Sequence, residues 1–134
     1  MKTIFITFFA FLALFQCSLG LDNVADKDGC WDGLHINKAK CVKASSKWSQ
    51  HTKGKFILYL TNTCDRRVYV KKCNQRKNGS WDCGAGGIAG RGKTSWATYD
   101  ATGRSQWMTV GSIRSNKDWV CAGKISNWRK FPKN

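Results

Sequence analysis

Apolar residues are arranged in two ways along this chain: one unbroken run near the start, and a series of short alternating stretches from residue 55 onward. The run Ile4–Phe15 is apolar except for Thr7, follows Lys2, and leads into Ser18-Leu19-Gly20, which places small residues where a signal peptidase reads. It is too short to span a hydrocarbon core as a helix. The pattern therefore predicts a signal peptide over 1–20 and an extracellular product, or a periplasmic one in a bacterium, made of residues 21–134. Gln16 stands where a lipobox requires a small residue, which argues against lipid attachment at Cys17.

The alternating stretches predict strands. Phe56, Leu58 and Leu60 interleave with Ile57, Tyr59 and Thr61, so both faces are apolar and the strand reads as central. Asn62-Thr63-Cys64-Asp65 is turn chemistry. Arg67–Cys73 follows with Val68 and Val70 on one face, and Asn78-Gly79 predicts a hairpin through a type I′ turn. Gly84–Gly92 reads as a glycine-rich loop. Three more strand-like stretches, Thr94–Tyr99, Gln106–Ile113 and Trp119–Ala122, are separated by Asp100–Gly103 and Ser115–Lys117. Upstream, 21–29 is polar and reads as loosely held, while the irregular spacing over 30–53 allows one short helix near 43–50. The expected fold is mainly β: a single domain over 21–134, built as a small antiparallel β-sandwich or barrel.

Cysteine count changes how such a fold would be held. Loss of Cys17 with the leader leaves an even set, Cys30, Cys41, Cys64, Cys73, Cys83 and Cys121, which predicts three disulfides in an oxidising compartment. Cys73 and Cys83 flank the predicted hairpin and are expected to pair; Cys30–Cys41 and Cys64–Cys121 are the pairings favoured for the rest. Crosslinks are needed, because Leu, Ile, Val and Phe supply only 17 of the 114 mature residues. Seven tryptophans offset part of that shortage.

Charge narrows the function classes. After the leader leaves, net charge is +14, with no glutamate in the chain, and twelve basic residues against the single acid Asp65 lie between Gly33 and Ser80. Such a field favours polyanionic partners. The residues expected to make contact are Lys38, Lys40, Lys43, Lys47, Trp48, Lys53, Lys55, Arg66, Arg67, Lys71, Lys72, Arg76 and Lys77, with Trp128, Arg129 and Lys130 in the tail. Four or five tryptophans are expected in the core and two or three among the exposed cations, Trp48 and Trp128 first.

Catalytic readings are weaker. Gly87–Thr94 matches the Walker A string, but β-prone residues follow it where that chemistry needs a helix. Asp65, Asp82, Asp100 and Asp118 offer no visible carboxylate pair for glycosidase work. His35 and His51 lack metal-ligand spacing, although two histidines among lysines suit a small basic ribonuclease. The leading expectation is a non-enzymatic, cofactor-free and metal-free cationic binding protein, toxin-like or antimicrobial, for acidic glycan, envelope or membrane, with nucleic acid as a non-specific partner. The alternatives are the nuclease and a structural protein of the extracellular matrix.

The run Asn62-Thr63-Cys64, Val68-Tyr69-Val70, Cys73, Trp81-Asp82-Cys83-Gly84, Gly92-Lys93-Thr94 and Val120-Cys121-Ala122-Gly123-Lys124 resembles a small secreted cysteine-containing β-domain recurrent among bacterial exported proteins of unassigned function. It covers roughly residues 56–124. The resemblance implies secretion and a β scaffold and carries no catalytic residue with it.

Overall fold

The computed structural model describes residues 25–31, 40–114, 117–124 and 126–133, so the leader, His35 and Lys38 lie outside the described residues. Its strands are β1 (Cys30–Trp31), β2 (Val42–Trp48), β3 (Phe56–Asn62), β4 (Val68–Arg76), β5 (Trp81–Ile88), β6 (Lys93–Thr98) and β7 (Ala101–Ser112). Two short helices follow, α1 (Asp118–Lys124) and α2 (Ser126–Arg129). The strands form two antiparallel sheets, ordered β1-β7-β4-β5 and β2-β3-β6.

The period-two pattern decides what lies between them. Phe56, Leu58 and Leu60 from β3 and Val68 and Val70 from β4 are buried on the inward faces. Leu58, Leu60, Val68 and Val70 join Trp31, Val42 and Ile88 in the main core, into which the Cys41–Cys64 bond also packs. The mainly β fold is therefore realised as a sandwich, with β3 central as its two apolar faces predict.

Only one sheet carries a further layer. The outer face of the four-stranded sheet is covered by α1, where Cys30, Val110, Cys121 and Ala122 cluster with Tyr69 and Trp128 beside them. The C-terminal tail is strapped across the same face. Lys71 Nζ donates to the Trp128 and Phe131 carbonyls at 3.3 and 2.7 Å, and the Gln106 side chain bonds the Lys133 backbone at 2.6 and 3.1 Å. The three-stranded sheet keeps its outer face exposed.

Several expectations are corrected. The stretch near 43–50 is strand rather than helix. Lys, Ser and Ala tolerate either state, and pairing of all seven β2 residues with β3 decides the matter. Trp119–Ala122 is helix rather than strand, and its buried residues Asp118, Cys121 and Ala122 fall at i, i+3, i+4. Most of the Gly84–Gly92 loop is strand β5, and Ala101–Gly103 already belong to β7. Two of the three glycines of β5, Gly84 and Gly87, lie under larger groups. A Cβ on Gly84 would sit 2.4 Å from the Trp96 ring, and one on Gly87 would sit 1.9 Å from the Arg67 guanidinium. At the hairpin only Gly79 has positive φ, at 85°, so Arg76–Gly79 is not the expected type I′ turn.

The disulfides are Cys30–Cys121, Cys41–Cys64 and Cys73–Cys83. The hairpin pair is as expected, with the two cysteines facing each other across β4 and β5. The other two pairings are not. Cys41 precedes β2 and Cys64 follows its partner β3, so strand pairing brings them together; Cys121 rides on the helix that covers β1. Three disulfides indicate an oxidising environment, and no described helix is long and apolar enough to cross a membrane.

Candidate functional site

Strand alternation builds the exposed face of the three-stranded sheet row by row. Lys43, Thr61 and Lys93 lie side by side across β2, β3 and β6; next come Ser45, Tyr59 and Ser95, then Lys47, Ile57 and Ala97. Lys55 and Tyr99 continue the pattern beyond the last pair. The β2 and β6 members are exposed, while Ile57, Tyr59 and Thr61 between them are half-buried. Four lysines thus frame an apolar and phenolic strip; the backbones of Lys43 and Lys93 stand roughly 10 Å apart across the strands, and those of Lys43 and Lys47 roughly 13 Å apart along β2.

Two of these lysines are positioned by rings. Lys47 Nζ lies 5.4 Å from the Tyr59 ring centroid, and Lys55 Nζ lies 5.4 Å from that of Tyr99. None of the paired residues on this face is acidic; Asp100 stands beyond it at the β6–β7 corner, beside Gly54. The face is a broad cationic platform with one shallow depression of about 150 Å³, lined by Lys47, Ser49, His51, Ile57 and Tyr59 among others. The loop that closes this end is ordered by Ser49, whose Oγ accepts the His51 and Thr52 amides at 3.2 and 3.1 Å.

Of the residues expected to bind, Lys43, Lys47 and Lys55 are brought together here, with exposed Lys53 in the adjoining loop. Trp48 is 47% exposed but belongs to the opposite parity. It tilts against Phe56 with ring centroids 5.0 Å apart and packs near Gly103 at the sandwich's open end. Lys40 is exposed near the Cys41–Cys64 end, where its carbonyl accepts the Thr63 hydroxyl. Arg66 and Arg67 lie in a separate depression beside α1.

The remaining expectations are redistributed. Lys72 points into the sandwich, 8% exposed, where Nζ donates to Thr94 Oγ1 at 2.8 Å and lies over Trp96; burial lowers its pKa. It is an interior residue rather than a docking contact. Lys71 is engaged by the tail carbonyls, and Arg76 by Asp82 at 3.2 Å. Lys77 is exposed near the β4–β5 hairpin tip, where its amide donates to the Asp100 carbonyl at 2.7 Å beside the Tyr99 end of the platform, while Arg129 and Lys130 are exposed in the tail, away from it. Trp128 is half-buried and stacked on Tyr69, with centroids 5.5 Å apart.

Sequence reasoning missed Lys93, Tyr59, Tyr99 and Ile57 as members of one face. The signal was present in β3, whose second apolar parity has no partner inside the sandwich. It also missed Trp119, which is 58% exposed because it lies on a helix, not in the expected strand.

Among the described residues that line it, the depression holding His51 has no acidic residue and no second histidine, and His35 lies outside the described residues. Among the described residues no group of three His, Cys, Asp or Glu side chains is placed to hold a metal. The Walker-like string runs from β5 through a turn at Ala89–Gly92 into β6, with no helix N-terminus to receive a phosphate. Compared with known protein families, curated proteins and solved structures, the chain matches none.

Proposed function

We propose that this is a secreted, non-enzymatic binding protein that docks the exposed face of its three-stranded sheet on an anionic polymer or envelope surface. The observation that carries this reading is the cationic platform itself: Lys43, Lys47, Lys55 and Lys93 around Ile57, Tyr59 and Tyr99, without an acid among its paired strand positions. An open, nearly flat face suits an extended polyanion better than a small substrate. The phenol rings add stacking surface for sugar rings or bases between the ammonium groups. Export through the 1–20 leader agrees with the three disulfides, and a toxin-like or antimicrobial role would follow from adhesion to an envelope.

The test is binding of the oxidised mature chain to heparin at two salt concentrations. Affinity should fall steeply as salt rises, through counterion release. Replacing Lys43, Lys47, Lys55 and Lys93 together by Ala should weaken it more than about tenfold, or 1.4 kcal/mol. An affinity indifferent to salt, or unchanged in this variant, would sink the proposal.

A further inference from the structure

A second basic site lies in the depression of about 420 Å³ beside α1, where Arg66, Arg67 and Arg114 line the walls with Ser112, Gly90 and Asp118. Its construction differs from that of the lysine platform. Arg67 Nε is fixed 2.9 Å from Asp118 Oδ2, and the Asp118 side chain is only 3% exposed. The same guanidinium lies close against β5, so near Gly87 that any Cβ there would collide with it. Gly90 is equally constrained, since its Cβ would fall 1.9 Å from the Asp65 carbonyl oxygen. Asp65, which lines the depression, is paired with Arg91 at 2.7 Å. Among the described residues its lining holds three guanidiniums with two carboxylates, Asp65 and Asp118.

We infer that this depression binds a single tetrahedral anionic ester group, a phosphate or a sulfate, independently of the sheet platform. Arginine forks match tetrahedral oxyanions in pairs, whereas lysine acts as a point charge. Arg67 is held before any ligand arrives. Asp118 holds its Nε and the β5 backbone at Gly87 packs against its Nη2, so the guanidinium plane is fixed from two sides. A concave site of this size takes one group with its immediate sugar or alkyl carrier rather than a length of polymer.

The experiment titrates the oxidised mature chain with glycerol 3-phosphate and, separately, methyl sulfate, following backbone amide NMR shifts. Saturable shifts confined to residues 65–67, 89–91 and 112–114 are expected. Arg114 is exposed, so Arg114→Gln should leave the fold intact while weakening binding by about tenfold, the loss of one charge-assisted contact. Gly87→Ala should weaken it too, by displacing Arg67. A phosphate ligand gains its second charge near pH 6, so its affinity should rise between about pH 5 and 7.5 while that of methyl sulfate stays level. Non-saturating shifts scattered over surface lysines, or full affinity in Arg114→Gln, would overturn the inference. The four-lysine variant separates the two sites: it should lose heparin binding and keep the ester. Loss of ester binding in that variant would refute an independent arginine site without touching the platform reading.

Discussion

Asn62 is fully buried and makes more connections than a turn residue needs. Its Nδ2 lies within hydrogen-bonding reach of the Arg66, Ile88 and Ala89 carbonyls, at 2.6, 3.3 and 3.1 Å, while Oδ1 accepts the Cys64 amide at 3.1 Å. One side chain therefore joins the end of β3 to the turn before β4 and to the end of β5. Asn62→Ala should cost about 2–4 kcal/mol, because a buried amide and several carbonyls lose a partner; urea unfolding measures it. Lys72 poses a different residue-scale question. Burial lowers its pKa in the fold, so through the window between that value and the ordinary lysine value the unfolded chain binds more protons. Stability from this group is accordingly lowest below the window and rises as pH climbs through it. The wild type should gain stability relative to Lys72→Met between neutral pH and about pH 10, read from paired urea midpoints. A constant difference would mean that Lys72 is as well solvated as an ordinary lysine.

At the scale of elements, the disulfides divide the work unequally. Cys30–Cys121 spans 91 residues and joins α1 to β1, whereas Cys73–Cys83 spans 10 within a hairpin that hydrogen bonding already closes. Loop-closure entropy assigns about 4–5 kcal/mol to the first and about 3 kcal/mol to the second. Replacing Cys30 and Cys121 by Ser should thus lower stability more than replacing Cys73 and Cys83, and should free the Tyr69–Trp128 stack, seen as lost near-ultraviolet dichroism. The same elements mark what the sequence could reveal. Strands β3 and β4 were legible because alternation of Phe56, Leu58, Leu60, Val68 and Val70 is a local signal. The β2 strand was not: Lys43–Lys47 has no apolar alternation, and its partner β3 supplies the order. Strand β5 was hidden by its glycines, of which Gly84 and Gly87 have their reason in Trp96 and Arg67, distant in sequence. Helix α1 was obscured by Trp119 and Val120, which favour strands, although Asp118, Cys121 and Ala122 already carried helical spacing. The pairing of Cys30 with Cys121 depends on that helix, so missing one meant missing the other.

For the whole molecule, the distribution of charge matters more than its total. The chain is strongly basic overall, and the sequence shows that much; what it could not show is that folding sends cations to separate places. Lys72 goes inside, Lys71 to the tail, Arg66 and Arg67 to the depression beside α1, and Lys43, Lys47, Lys55 and Lys93 to one open face. If net charge alone attracted polyanions, any four lost positive charges would weaken binding alike. Lys117, Arg129, Lys130 and Lys133 are exposed away from the platform and provide the matched comparison. Changing these four to Ala alters net charge by the same amount as changing the four platform lysines. The platform variant should reduce the slope of log affinity against log salt for a B-DNA duplex by about 3–4, close to one counterion for each lysine removed. The matched variant should shift that slope by less than about one, since long-range attraction is screened beyond a Debye length of about 8 Å at physiological salt. Equal slopes for the two variants would assign the binding to diffuse charge and remove the sheet face from the account.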